Sequence, residues 1–262
     1  MNRISLVYNG KLRKFSAPSA WNELSRKQLY YWCGIIRMRI PVEQAMQAAV
    51  MFFYGISIGL LSRLNTSAAY DAQLRLSLDF LMGENTLTKN VIGSVRLFFR
   101  RYHGPSNRLA NISVGEYRRT ELYYQLYLKT GDQELLRLLA ATLFRPAGKG
   151  GVEDIREPVN EIRINRRARL FRWLNPNWLH AILLYYEGCR GSIIKSHPKI
   201  FKPSKQAAEG NGLMDLEDQI LAYSGDKLGN FKDTVAINLY VFLKHMTQRI
   251  EEYERLQRKG KL

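Results

Sequence analysis

The hydrophobic and polar positions of this chain follow two periods, and the helical one dominates. Between Ser113 and Pro146, Tyr117, Tyr124, Tyr127 and Leu128 recur at three-to-four-residue spacing, with Leu122 and Leu126 widening the stripe. Ser113 with Glu116 fits a capping box, so the spacing predicts a helix that starts there. Thr130-Gly131-Asp132 ends it and caps a second helix, whose Leu135, Leu138, Leu139, Thr142 and Leu143 share one side until Pro146. The pair predicts an antiparallel helical hairpin with a tyrosine-rich face.

At the chain start the period changes to two. Ile4 to Val7 and Lys11 to Phe15 alternate around Asn9-Gly10, which predicts a β-hairpin. Trp21 follows as an anchor for that hairpin, and Ser25 caps a helix carrying Leu29, Trp32, Ile35 and Ile36. Residues 42–62 then read as one apolar helix. Its charge-free run from Gln44 to Ser62 has nearly the length a bilayer requires, but two Gln, two Ser and two Gly favour a buried core helix. Further amphipathic helices are predicted over Leu64 to Met82 and Thr86 to Phe99, the second ending in a basic run. There Arg96, Arg100, Arg101 and Arg108 either complement a helix dipole, the preferred reading, or bind phosphate.

Pro146 to Pro158, with Gly148, Gly150 and Gly151 around Lys149, reads as a mobile surface loop and lacks the spacing of a phosphate loop. Asn175-Pro176 opens a helix that carries Leu179, Ile182, Leu183 and Tyr186 toward Gly188-Cys189-Arg190. A long loop from Lys195 to Gly212 leads to Leu213–Tyr223 and a final helix from Phe231 to Arg258. Val235, Leu239, Phe242, Met246 and Ile250 form its buried stripe, and Glu251 is set to pair with Arg255. The fold class expected is mainly α: a helical bundle of antiparallel helical hairpins with a small N-terminal β-hairpin. Residues 1–146 would hold the β-hairpin and a helical core, and 147–262 the basic segment and long final helix, or the two would form one continuous domain.

Charge changes this picture. The 262 residues contain 40 Lys+Arg against 23 Asp+Glu, a net +17, which favours an anionic partner. The candidate contacts are Arg163, Arg166, Arg167, Arg169 and Arg172, with Lys195, Lys199 and Lys202 further on. Guanidinium groups grip phosphate or carboxylate bidentately. The competing reading is a solvated helix, or one paired with Glu153, Asp154 and Glu157.

Hydrophobic content of 46% argues for a folded chain, and Cys33 and Cys189 are too few for a disulfide framework or a thiolate metal site. No secretory signal is visible at the start of the sequence, so a cytoplasmic or virion-associated location is expected. His103, His180, His197 and His245 stand singly, and His180 reads as a core or interface residue. The Asp215, Glu217 and Asp218 cluster reads as helix-opening charge, and no nucleophile elbow, dinucleotide fingerprint or kinase motif is present. Neither catalysis, metal nor cofactor is expected.

Several stretches resemble helical proteins of phage and prophage tail gene clusters, some of them tail-assembly-chaperone-like. They are the opening hairpin with Ala17-Pro-Ser-Ala-Trp21-Asn-Glu-Leu24, Leu109 to Tyr117, Thr130 to Glu134 with Leu143-Phe-Arg-Pro146, and Leu228-Gly-Asn-Phe231 to Tyr240. The resemblance implies a structural or assembly role through contacts with other tail or assembly proteins, without cofactor or catalytic residues. The net positive charge is not explained by it and keeps a basic helical nucleic-acid-binding protein as the alternative. No membrane span is expected, and oligomer formation is left open.

Overall fold

A computed structural model of the chain describes residues 1–8, 11–57, 73–148, 154–201 and 230–259. The Asn9-Gly10 turn, residues 58–72, residues 149–153 with Lys149, Gly150 and Gly151, and residues 202–229 with Lys202 and the acidic cluster of Leu213–Tyr223, together with the last three residues, lie outside that description.

The fold is mainly helical, with two small antiparallel β-hairpins among the described residues. In chain order it runs β1 (Asn2–Tyr8), β2 (Lys11–Ala17), α1 (Arg26–Met38), α2 (Val42–Tyr54), β3 (Ser94–Leu97), β4 (Arg100–His103), α3 (Val114–Thr130) and α4 (Gln133–Leu143). Then come α5 (Glu161–Phe171), α6 (Pro176–Ser196), α7 (Phe231–Ala236) and α8 (Leu239–Arg258). Two compact units emerge, residues 1–92 with 175–188, and 93–174 with 189–262; residues 146 and 147 both lie in the second.

In the first unit, β1 pairs with β2 in a register that sets Ile4 opposite Phe15, as the alternation predicts. Trp21 is buried edge-on against Phe80 at 6.0 Å. The Ser25 hydroxyl accepts from the Gln28 amide while the Gln28 side chain accepts from the Ser25 amide, a complete capping box at the start of α1. Leu29, Trp32, Cys33 and Ile35 turn inward, whereas Ile36 is exposed. The predicted apolar helix ends early, at Tyr54: Gly55 adopts φ 67°, the left-handed conformation that glycine takes without a Cβ penalty. Among the described residues, no helix is long and apolar enough to cross a membrane. Asp79–Leu81 form a short 3-10 turn, and residues 64–72 of the predicted Leu64 to Met82 helix lie outside the described residues.

α6 starts where Asn175 accepts from the Asn177 amide and Pro176 occupies the first turn. It continues through Gly188 to Ser196. A Cβ at Gly188 would sit on the carbonyl oxygen of Leu87 and 2.6 Å from its nitrogen, so glycine here serves close packing rather than termination.

The predicted helix from Thr86 to Phe99 does not form: residues 86–92 of the first unit are not helical, and in the second unit Ser94–Leu97 form β3, paired with β4. Val95, Leu97 and Tyr102 are buried while Ser94, Arg96 and Arg101 face outward, a period-two pattern that a helix cannot satisfy. α3 and α4 join through Gly131 at φ 69° and the Asp132 cap, as predicted. Tyr117 and Tyr124 are buried; Leu122, Leu126 and Leu128 are exposed, so the apolar face of α3 is narrower than its sequence suggests.

The predicted single final helix is two. Val114 donates to Ile237 at 2.9 Å, Leu239 donates to Ile112 at 3.0 Å, and the Asn238 side chain donates to Ala110 at 2.7 Å. Residues 237–239 therefore spend their backbone groups on the entry to α3 instead of on a helix, and Asn238 recaps α8. Leu239, Phe242 and Met246 are buried as the stripe predicts.

Candidate anion-binding site

The site grows from a charged core beneath α5. Ser113 caps α3 by accepting from the Glu116 amide, but the Glu116 side chain does not return to close the predicted box. It turns inward instead. Its carboxylate, 2% exposed, accepts from Arg156 at 2.8 Å and from Arg145 at 3.1 Å. Asp154 accepts from Arg156 at 2.9 Å and from Arg145 at 3.4 Å, so two carboxylates meet two guanidinium groups. Burial pushes the Glu116 carboxyl up from its ordinary value, against the pull of Arg156 and Arg145. Burial likewise lowers the Arg145 guanidinium, opposed by Glu116 and Asp154.

These contacts correct the reading of 146–158 as a mobile surface loop for its described flanks, 146–148 and 154–158. Glu157 donates its amide to Pro146 at 2.9 Å, Gly148 donates to Ile155 at 2.9 Å, and Arg156 is 3% exposed. The flanks of the glycine-rich stretch are thus tied together, and a buried arginine is threaded into the unit.

Above this core lies α5, opened by Asn160, whose side chain accepts from the Arg163 amide. Ile164, Arg167, Ala168 and Phe171 face inward. Arg163, Arg166, Arg167 and Leu170, at i, i+3, i+4 and i+7, line an open recess of about 440 Å³ with Arg100, Tyr102, Pro146 and Glu157. Among the described residues Glu157 is the only carboxylate on its wall, and it is shared by Arg163 at 3.1 Å and by Arg167. Arg167 also donates to the Ala141 carbonyl, and burial lowers its guanidinium against the pull of Glu157. Arg100 and Arg166 have no ion-pair partner among the described residues. With four arginines and one carboxylate on its described lining, the recess is positively charged, and low-dielectric walls strengthen its pull on an anion.

The sequence-predicted contacts therefore separate. Arg163 and Arg166 face the recess, while Arg167 is buried and internally paired. Arg169 and Arg172 do not line it, and Arg172 lies 5.1 Å over the Trp173 ring. Lys195 is exposed in the last turn of α6. Lys199 pairs with Glu254 at 3.1 Å and Glu251 at 3.4 Å, so Glu251 reaches across to Lys199 in addition to any partner on its own helix. Of the acidic partners weighed for α5, Glu153 lies outside the described residues, Asp154 belongs to the core below, and Glu157 serves the helix.

Arg100 is the recess residue that the helical reading of Thr86 to Phe99 misplaced. The alternation in Ser94-Val-Arg-Leu97 was the available signal for a strand, with Gly93 and Gly104-Pro105 as its boundaries. Nothing local marks Glu116, Arg145 and Arg156 as partners.

Among the described residues no group of His, Cys, Asp and Glu is arranged to hold a metal ion. His180 donates from Nδ1 to the Pro176 carbonyl, 3.1 Å away, within its own helix. No protein-family model, curated protein or solved structure matches the chain.

Proposed function

We propose that the protein is a non-enzymatic structural or assembly protein acting through protein–protein contacts, with a phage or prophage tail as the setting that its sequence resemblance suggests. One observation carries the reading. Ile162, Arg166, Arg169 and Trp173 recur at i, i+4, i+7 and i+11 along the outer side of α5 and the turn that follows it. Ile162 is 80% and Trp173 63% exposed. Large apolar groups alternating with arginines make up the residue mix enriched in the centres of protein interfaces, and tryptophan and arginine dominate binding hot spots. With a net +17, the complementary partner is an acidic protein surface.

In this reading the helices form a bundle of antiparallel hairpins, for which the α3–α4 pair is the support, and the bundle serves as a rigid carrier for the stripe. The chain works in the host cytoplasm or on the particle.

The test is co-purification with the products of neighbouring genes, with light scattering to read the assembly size. Trp173→Ala combined with Arg169→Glu should release the partner while the far-UV spectrum is kept. A complex indifferent to that pair of changes would overturn the assignment of the stripe. Arg167→Glu is unsuitable as a docking probe, because Arg167 is 4% exposed and its reversal would unfold the unit.

A further inference from the structure

The β3–β4 hairpin carries a feature that the assembly reading leaves unused. Leu97 pairs with Arg100, so the turn between the strands consists of Phe98 and Phe99. Phe98 has φ 52°, a left-handed backbone that side chains bulkier than glycine or asparagine rarely adopt. Phe98 is 63% exposed and Phe99 fully exposed. A phenylalanine in a turn that favours glycine, with its ring in water, contributes neither a good turn nor a core contact. Backbone strain of this kind clusters at functional sites.

Charge surrounds the two rings. Arg96 stands directly opposite Arg101 on the outward face of the hairpin, a like-charge cross-strand pair that weakens the sheet unless an anion bridges it. On the other face Arg100, next in sequence to Phe99, lines the recess with Arg163 and Arg166. Arginines thus flank the rings on both faces of the hairpin.

We infer that the hairpin and the recess together form a binding site for single-stranded nucleic acid, in which Phe98 and Phe99 stack on unpaired bases. Arg96 and Arg101 contact phosphates on one side of the hairpin, and Arg100, Arg163 and Arg166 on the other. Aromatic rings beside cationic side chains are the combination that single strands require, since every base offers a face for stacking and every linkage a charge. A duplex keeps its bases stacked and denies them to the rings. A bilayer is the poorer occupant, because two phenyl groups supply little apolar area for stable anchoring. The site is independent of the stripe on α5 that carries the assembly reading, apart from Arg166.

The experiment is fluorescence anisotropy of the full chain with labelled oligothymidylate and a labelled duplex across a salt series. Wild-type protein should bind the single strand more tightly than the duplex. Phe99→Ala should weaken binding roughly 5- to 150-fold, the range that corresponds to base stacking of about 1–3 kcal/mol. Arg96→Gln with Arg101→Gln should reduce the salt slope by about 1.4, or about 0.7 for each phosphate that is no longer neutralised. Phe98→Gly separates binding from folding: relief of the backbone strain should keep or raise thermal stability while affinity falls. Absence of low-salt binding, equal affinity for the duplex, or affinity unchanged by both phenylalanine variants would each overturn the proposal. So would binding to anionic vesicles that is lost in the phenylalanine variants and that the oligonucleotide fails to compete.

Discussion

Replacing Glu116 by Gln tests whether the charged core beneath α5 holds the second unit together. The side chain keeps its size but loses its charge, leaving Arg145 and Arg156 to share Asp154. One buried positive charge is then uncompensated, and the new amide group points a donor toward a guanidinium. Breaking a buried ion pair from one side costs about 3–5 kcal/mol, and the carboxylate here, with 3% of its side chain exposed, serves two arginines. At about 2–4 °C per kcal/mol, the melting temperature should fall by roughly 6–20 °C. Urea denaturation followed by tryptophan fluorescence gives the free energy directly. Arg145→Gln added to Glu116→Gln should cost less than the two changes summed, because it removes the stranded charge, with a coupling of about 0.5–3 kcal/mol. As a reference, Glu134→Gln removes the exposed Glu134–Arg137 pair and should cost no more than about 1 kcal/mol. A loss at Glu116 no larger than that at Glu134 would show that the buried charge cluster does not hold the unit together.

Gly188→Ala drives a methyl group into the backbone of Leu87 and should destabilise the protein by about 1–3 kcal/mol; a variant as stable as wild type in urea would contradict the close packing. Burial pushes the Cys33 thiol up to about 12, and Cys189 is also buried, so neither should react with Ellman's reagent at pH 8 until the chain is unfolded. A fast native phase would place a thiol at the surface. The Glu23 carboxylate accepts from the Ser19 amide at 2.7 Å, the terminal amine and the Ser19 hydroxyl, which hold its pKa at about 2, below the ordinary 4.5. Because the folded value is the lower one, its stabilising contribution is complete above about 4.5 and is lost as pH falls through about 2. Carboxyl chemical shifts should show that midpoint, and Ser19→Ala should raise it; a midpoint near 4.5 in the native protein would exclude the turn.

What the amino-acid order decided by itself is local. Ser25, Gly131, Asp132 and Asn175 begin or end helices where they were expected, because a cap is satisfied by groups within one turn of the same chain. The N-terminal strands followed for the same reason, since alternation needs only a neighbouring strand. Everything that depended on a distant partner came from the tertiary structure. Glu116 reads as a capping residue until Arg145 and Arg156, 29 and 40 positions away, are brought onto its carboxylate. Gly188 is one glycine among many in the sequence until the backbone of Leu87 is laid against it. The last helix looks continuous until residues 110–114 take the hydrogen bonds of 237–239. Five arginines in one basic run look equivalent in sequence. Folding makes Arg167 a buried strut, turns Arg163 and Arg166 toward the recess, and adds Arg100 from a strand more than sixty positions earlier. Charge in a sequence is a sum over residues, whereas the work each charge does depends on which carboxylate, carbonyl or solvent it faces, and packing alone assigns those neighbours.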